Sequence, residues 1–216
     1  IARKAKRVIG FEIDENLKPV LKETLADYKN AEIIFKDIMR MKTAEIDELA
    51  GENYCVVANL PYYITTPILM KFIEESKTVK SITVTVQEEV ADRLCAQAGT
   101  EEYGAITAGI DVSGTAEKVM RIGRNMFYPA PNVDSAVVRI VIDRNKYEGV
   151  DYEKYRAAVR AAFSSRRKTL CNNLMNSFGF KRSEAEQIVS EISDNPLVRG
   201  ETLTTADFVK LSSLIK

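Results

Sequence analysis

The sequence predicts an α/β fold in which a largely parallel sheet is followed by a small, all-helical C-terminal domain. Three observations predict it. Apolar runs rich in β-branched residues alternate with helical spacings from the start of the chain. The strand signal stops around Asp143. Everything beyond carries helix caps and a 3.6-residue rhythm.

Taken in order, the predicted strands are Arg7 to Ile13, Ala31 to Phe35, Tyr54 to Ala58, Ser81 to Val86, Glu117 to Arg121 and Ser135 to Ile142, the last two an antiparallel pair. Between the first two, Leu17, Val20, Leu21 and Leu25 recur at helical spacing behind Asp14, a helix-capping residue. Thr66-Pro67 opens a second helix, with Ile68, Leu69, Phe72 and Ile73 as its buried stripe, and Glu88 to Ala98 reads as a third. The tail predicts helices at Tyr152 to Phe163, Thr169 to Phe178, Ser183 to Ile192 and Thr205 to Leu214. Ser183-Glu184-Ala185-Glu186 is read as a capping box, with Gly179 and Gly200 as helix stops. The expected division is a catalytic domain over residues 1–146 and a helical domain over 147–216.

Composition narrows the chemistry. The chain has 216 residues, 45% of them apolar and 29% charged, enough to bury a full core. No apolar run reaches the roughly 20 residues a bilayer-spanning helix needs, so no membrane role and a cytoplasmic location are expected. Histidine is absent, which removes imidazole-based triads and proton relays. Cys55, Cys95 and Cys171 are too far apart to suggest a zinc site or a disulfide framework, and are expected to be small buried residues with no metal nearby. Basic and acidic residues balance at 31 each; about 20 basic and 23 acidic fall before Val150 and about 11 and 8 after it, so the tail is the more basic part.

One turn stands out. Val56-Val57-Ala58 runs into Asn59-Leu60-Pro61-Tyr62-Tyr63, at the strand end where open α/β sheets bind ligands. Taken alone, it is equally compatible with Asn59 and Pro61 shaping a strand-to-helix turn. Its chemistry also suits an adenine amine, whose lone pair is delocalised into the ring and must be localised before it attacks a methyl donor. The Asn59 side-chain carbonyl and the Leu60 backbone carbonyl can each accept one N–H, Pro61 stiffens the turn, and Tyr62 can stack on the base. Glu12 and Asp37 close the two preceding strands; such acids are commonly solvated or capping, but in this order they can also accept ribose hydroxyls and an adenine amine. Phe127, ahead of Pro129 and Pro131, lies on a stiff loop suited to a stacking face, and equally to a core or turn aromatic. Arg121, Arg124 and the run Arg166-Arg167-Lys168 are candidate phosphate contacts, although a short basic run is more often a solvated face.

These segments, with Phe11-Glu12-Ile13-Asp14, Asp37-Ile38, Gln87 to Leu94, Tyr103-Gly104, Phe127 to Val137 and Phe163 to Leu170, resemble the bacterial small-subunit ribosomal RNA adenine dimethyltransferases over nearly the whole chain. The resemblance implies a Rossmann-like class I methyltransferase sheet that uses S-adenosylmethionine as methyl donor. It implies a monomer acting on 16S ribosomal RNA of the assembling small ribosomal subunit, methylating two adjacent adenosines in the 3′-terminal hairpin loop. By resemblance, Glu12, Ile13, Asp37, Ile38 and Asn59 contact the cofactor, Asn59, Leu60, Pro61 and Tyr62 form the catalytic turn, and Tyr62 and Phe127 sandwich the target base. The alternatives are a non-catalytic RNA-binding assembly factor on the same fold, and an adenine methyltransferase acting on large-subunit RNA or DNA. The chain departs from the family in having Glu88 and Asn132 where lysines are usual, and no aromatics in Ile110-Asp111-Val112-Ser113. Family members also carry a first strand and a glycine-rich loop before the Phe-Glu-Ile-Asp segment. Here Ile1 to Lys6 reads as the end of the helix that follows such a loop, so the expectation is an N-terminally truncated sheet that binds S-adenosylmethionine weakly or not at all.

Overall fold

The computed structural model describes residues 1–215. The first strand, β1 (Val8–Glu12), pairs in parallel with β2 (Ala31–Phe35). A short 3₁₀ turn, capped by the Asp14 side chain accepting from the Asn16 backbone N–H, leads from β1 into helix α1 (Lys18–Thr24), where Pro19 occupies the first turn. Helix α2 (Thr43–Ala50) then returns to β3 (Tyr54–Asn59). Helix α3 (Tyr62–Glu75), strand β4 (Val79–Gln87) and the short helices α4 (Glu88–Leu94) and α5 (Ala105–Asp111) follow. Strands β5 (Gly114–Ile122) and β6 (Ser135–Ile142) form the antiparallel pair.

The strands fall into two groups: β1–β2, and a four-stranded sheet in the order β3–β4–β6–β5. The expected continuous sheet is therefore split among the described residues, with no ladder joining β1 or β2 to β3. Strand β3 pairs in parallel with β4, and β4 in turn pairs antiparallel with β6. The open edge of β3 leaves Val57 55% exposed and Cys55 exposed as well, so Cys55 is not the buried residue expected. Cys95 is half-buried and Cys171 buried.

Two apolar clusters hold the chain together. One lies on the sheet and α3, with Leu69, Phe72, Ile82, Val84, Val138 and Ile140 nearly inaccessible. The other joins α6 (Tyr152–Ala162), α7 (Leu170–Phe178), α8 (Arg182–Ile192) and α9 (Thr205–Leu214) around Tyr155, Leu174, Phe208 and Leu211. Helix α5 belongs to both: Ile110 faces the first cluster, while Ala108 and Val112 enter the second. Asp111, from the same helix, accepts hydrogen bonds from Thr205 Oγ1 at 2.6 Å and Lys146 Nζ at 2.7 Å, and Tyr155 Oη donates to the Ala108 carbonyl at 2.9 Å.

Several expectations are corrected. Helix α3 begins at Tyr62, so Pro67 lies inside it rather than at its start; the bond Pro67 cannot donate would have gone to the carbonyl of Tyr63, a residue open to water. The helix expected to reach Ala98 stops at Leu94. Helices α2 and α5 were not foreseen: α2 buries only Thr43 and Ile46, giving almost no apolar stripe, and α5 is short and β-branched with a glycine inside. The α8 cap sits two residues earlier than Ser183, with the Glu184 carboxylate accepting from the Lys181 backbone N–H at 2.8 Å. Gly179 does end α7 in a left-handed conformation, φ 72°. Gly200 instead starts a 3₁₀ turn pressed against the Ala162 carbonyl, where a Cβ would approach to 2.7 Å. Residues Ile1 to Lys6 form a single turn, closed by Ala5 N–H on the Ile1 carbonyl at 3.0 Å, rather than the end of a helix.

Candidate active site

The Asn59-Leu60-Pro61-Tyr62 turn joins β3 to α3. Asn59 is exposed at the end of its strand, and its side chain has no hydrogen-bond partner among the described residues. Leu60 is half-buried and packs on the sheet cluster, which anchors the turn from below. The first helical bonds engage Pro61 rather than Leu60: Ile64 N–H and Thr65 Oγ1 both donate to the Pro61 carbonyl, at 3.1 Å each. Two acceptors, the Asn59 amide oxygen and the Leu60 carbonyl, are thereby left for an outside donor.

Tyr62 is half-buried, and its hydroxyl lies 2.9 Å from Ser135 Oγ at the start of β6. Phe127 is also half-buried, on the loop between β5 and β6, while its neighbours Met126 and Tyr128 are exposed. That loop is braced by Asp134. One carboxylate oxygen accepts from the Arg124 backbone N–H at 2.9 Å and the other from the Arg121 guanidinium at 2.7 Å. The Arg124 N–H, with the Arg121 charge behind it, holds the Asp134 carboxyl below its ordinary value. Arg121 also pairs with Glu88 at 3.1 Å, and Arg124 donates to the Asn132 carbonyl at 3.3 Å. Both arginines, singled out as phosphate contacts, are thus committed to the loop. A cavity of about 650 Å³ there is lined by Glu88, Glu89, Asp92, Glu102 and Asp134, with Arg124 among them, a predominantly acidic wall.

The two strand-end acids keep capacity for a ligand. Glu12 Oε1 accepts from the backbone N–H groups of Ile13 and Asp14, at 2.7 and 2.9 Å, which aims the carboxylate and leaves Oε2 with no partner among the described residues. Asp37 Oδ1 accepts from Met39 N–H at 2.9 Å, and Oδ2 lies 3.4 Å from Arg40 Nε. Ile13 is exposed beside Glu12, whereas Ile38 is half-buried on the same cluster as Leu60. Two aimed carboxylates, one flanked by an open apolar side chain, fit the hydroxyls, amine and ring of an adenosine.

The basic run divides. It lies in the link between α6 and α7. Arg166 donates to the Glu101 carbonyl at 2.6 Å and the Tyr103 carbonyl at 2.9 Å, and pairs with Glu201 at 3.5 Å. It straps the loop before α5 to the helical tail. Arg167 and Lys168 have exposed side chains without ion-pair partners among the described residues. Sequence reasoning missed Ser135 and undervalued Asp134; the only signal for either was the position just before an alternating strand.

The family described as ribosomal RNA adenine dimethylase matches residues 1–216. The chain belongs to the ribosomal RNA adenine dimethylase family. It is 44% identical over 223 residues to the ribosomal RNA small subunit methyltransferase A of Bacillus cytotoxicus, covering 100% of this chain and 76% of the relative. The corresponding protein of Bacillus mycoides matches to the same extent. Among solved structures, a dimethyladenosine transferase from Plasmodium falciparum superposes with a TM-score of 0.80 at 24% identity, over 96% of this chain and 81% of that one. The 23S rRNA methyltransferase ErmE superposes at 0.71 and 23% identity, over 99% and 84%. Both carry the same fold, a class I methyltransferase sheet with a helical C-terminal part. No helix among the described residues is long and apolar enough to cross a membrane, and no group of three or more potential metal ligands occurs there.

Proposed function

We propose that this chain transfers methyl groups from S-adenosylmethionine to the exocyclic amines of two adjacent adenosines in the 3′-terminal hairpin loop of 16S ribosomal RNA, during small-subunit assembly. The observation that carries this reading is the Asn59-Leu60-Pro61-Tyr62 turn, which presents two free acceptors beside an aromatic face. The small-subunit substrate rests on the relatives at 44% identity, whose names specify it.

When bound, the cofactor supplies an electrophilic methyl on sulfur; the protein's residues supply position and charge. Glu12 and Asp37 hold the adenosine part, Glu12 at the ribose hydroxyls and Asp37 at the adenine amine, with Ile13 and Ile38 as apolar lining. Asn59 and the Leu60 carbonyl each accept one N–H of the target amine, which turns its lone pair out of the ring plane toward the donor. Tyr62 and Phe127 stack on the two faces of the base, which must be unpaired or flipped to reach them. The amine proton leaves after its nitrogen has become cationic and strongly acidic, so no histidine is needed. Of the basic residues singled out in the sequence, Arg167 and Lys168 are without ion-pair partners among the described residues and are available to meet the RNA backbone.

The test is transfer of radioactive methyl from S-adenosylmethionine to small subunits lacking the modification. Label in their RNA, lost with Asn59→Ala, supports the reading; no label, or an Asn59→Ala variant equal to wild type, refutes it.

A further inference from the structure

We infer that the dipeptide Asp134-Ser135 is the positioning element of the target-base clamp, setting the gap between the Tyr62 and Phe127 rings. The inference rests on the reading of those two aromatics as the base sandwich. Tyr62 and Phe127 lie 65 residues apart in the sequence and come from different elements, a helix start and a long loop. Each is tied to its place by one residue of a single dipeptide.

Ser135 has 0% exposure and is the first residue of β6, paired with Gln87 on one side and Ile122 on the other. Its backbone cannot shift without breaking two ladders, so its Oγ is a fixed point. The Tyr62 hydroxyl meets that point at 2.9 Å. A tyrosine hydroxyl lies on the axis of its own ring flip, so this bond does not lock the flip. It locks the swing about χ1, the motion that would carry the ring toward or away from a stacked base.

Asp134 does the corresponding work for Phe127. Its two oxygens take the Arg124 backbone N–H and the Arg121 guanidinium, which closes the 123–134 loop on its own base. Its carbonyl accepts from Glu88 N–H at 3.0 Å, and Glu88 grips Arg121 from the other side. The loop that carries Phe127 is therefore rooted one peptide, about 3.8 Å, from the root of Tyr62. A base held between two rings needs two spacings of roughly 3.5 Å, with little slack. In a reaction run on positioning, a displacement of about 1 Å can cost of the order of 100-fold. One rigid dipeptide at both roots keeps that gap constant while the outer loop residues, Met126 and Tyr128, stay exposed.

The experiment uses the full-length protein with two readouts. In methyl transfer, Ser135→Ala and Tyr62→Phe each lower kcat about tenfold with KM for S-adenosylmethionine unchanged, and the double variant falls no further than either single. In binding, a hairpin RNA with 2-aminopurine at the target position is quenched by wild type, less by Ser135→Ala, and less again by Asp134→Ala with Ser135→Ala. A merely structural serine would lower the thermal midpoint without sparing the cofactor KM and would not share its loss with Tyr62→Phe. Should Ser135→Ala fail to fold, Tyr62→Phe removes the same bond from the half-buried side and is read in the same two ways. Unchanged kcat and quenching in these variants, or losses that multiply in the double, would overturn the inference. Quenching that depends on Ser135 in a protein that methylates no RNA would sustain the clamp while removing the proposed function.

Discussion

The two halves of the proposed site are built to different standards of rigidity. The half carrying Glu12 and Asp37 stands on β1–β2, and no residue from Ile1 to Arg40 is fully buried. The half carrying Asn59, Tyr62 and Phe127 stands on a four-stranded sheet whose Val84, Ala136, Val138 and Ile140 are essentially inaccessible, with the Tyr62 hydroxyl bonded to that sheet at Ser135. The difference follows the chemistry. A carboxylate that accepts ribose hydroxyls tolerates small displacements, because its ligand can follow it; an amine that must meet a methyl in line cannot.

This contrast should be largest in hydrogen exchange. Amides of β4 and β6 should exchange about 100-fold or more slowly than those of β1 and β2, with S-adenosylmethionine slowing the β1–β2 group selectively. Uniform protection across both sheets would dissolve the comparison. In kinetics, Asn59→Ala should lower kcat by about 100-fold or more while leaving cofactor affinity nearly intact. Glu12→Ala should do the reverse, weakening cofactor binding roughly 10-fold or more with little effect on saturated kcat. Calorimetry beside single-turnover rates separates the two.

The basic run sharpens the same comparison at smaller scale. Replacing Arg166 by Ala removes the strap to Glu101, Tyr103 and Glu201, and should lower the thermal midpoint by about 2–4 °C, as a loss of about 1 kcal/mol does in a chain of this size. Replacing Arg167 and Lys168 should leave the midpoint alone and weaken RNA binding, with a shallower salt dependence by about one unit per charge. The smallest expected effect is at acid pH. Burial alone would raise the Asp47 carboxyl, yet hydrogen bonds from Ser76, the Lys77 backbone and Tyr54 together hold it below its ordinary value of 3.8. A depressed carboxylate adds stability that is complete above its unfolded value and lost as pH falls through the folded one. Asp47→Asn should therefore flatten the stability profile below about pH 4, measured by urea unfolding.

What the sequence made legible depended on how local the determining physics is. β2 and β6 were legible to the residue, because continuous β-branched runs between polar turns carry their own boundaries. The start of α3 was not, since Thr66-Pro67 mimics a helix start while the real one follows Pro61, whose fixed φ leads into the turn. Glu12 and Asn59 could be picked out because each closes a strand, and Asp37 because it follows one by two residues, positions set by short-range pattern. The commitments of Arg121, Arg124 and Arg166 could not, because their partners lie at least 13, 8 and 35 positions away and pair through the fold. Ser135 was invisible for the same reason: nothing near a buried strand serine announces a tyrosine 73 residues earlier.

The central claim, that the acceptor turn and the braced aromatic pair act on adjacent adenosines of small-subunit RNA, is tested most directly by mass spectrometry. Undermethylated small subunits are treated with the full-length protein and S-adenosylmethionine, and their RNA is digested and sequenced by mass. Two neighbouring dimethylated adenosines are expected in the 3′-terminal hairpin fragment, absent with Asn59→Ala. Methyl groups on large-subunit RNA alone, or on a base other than adenine, would contradict it.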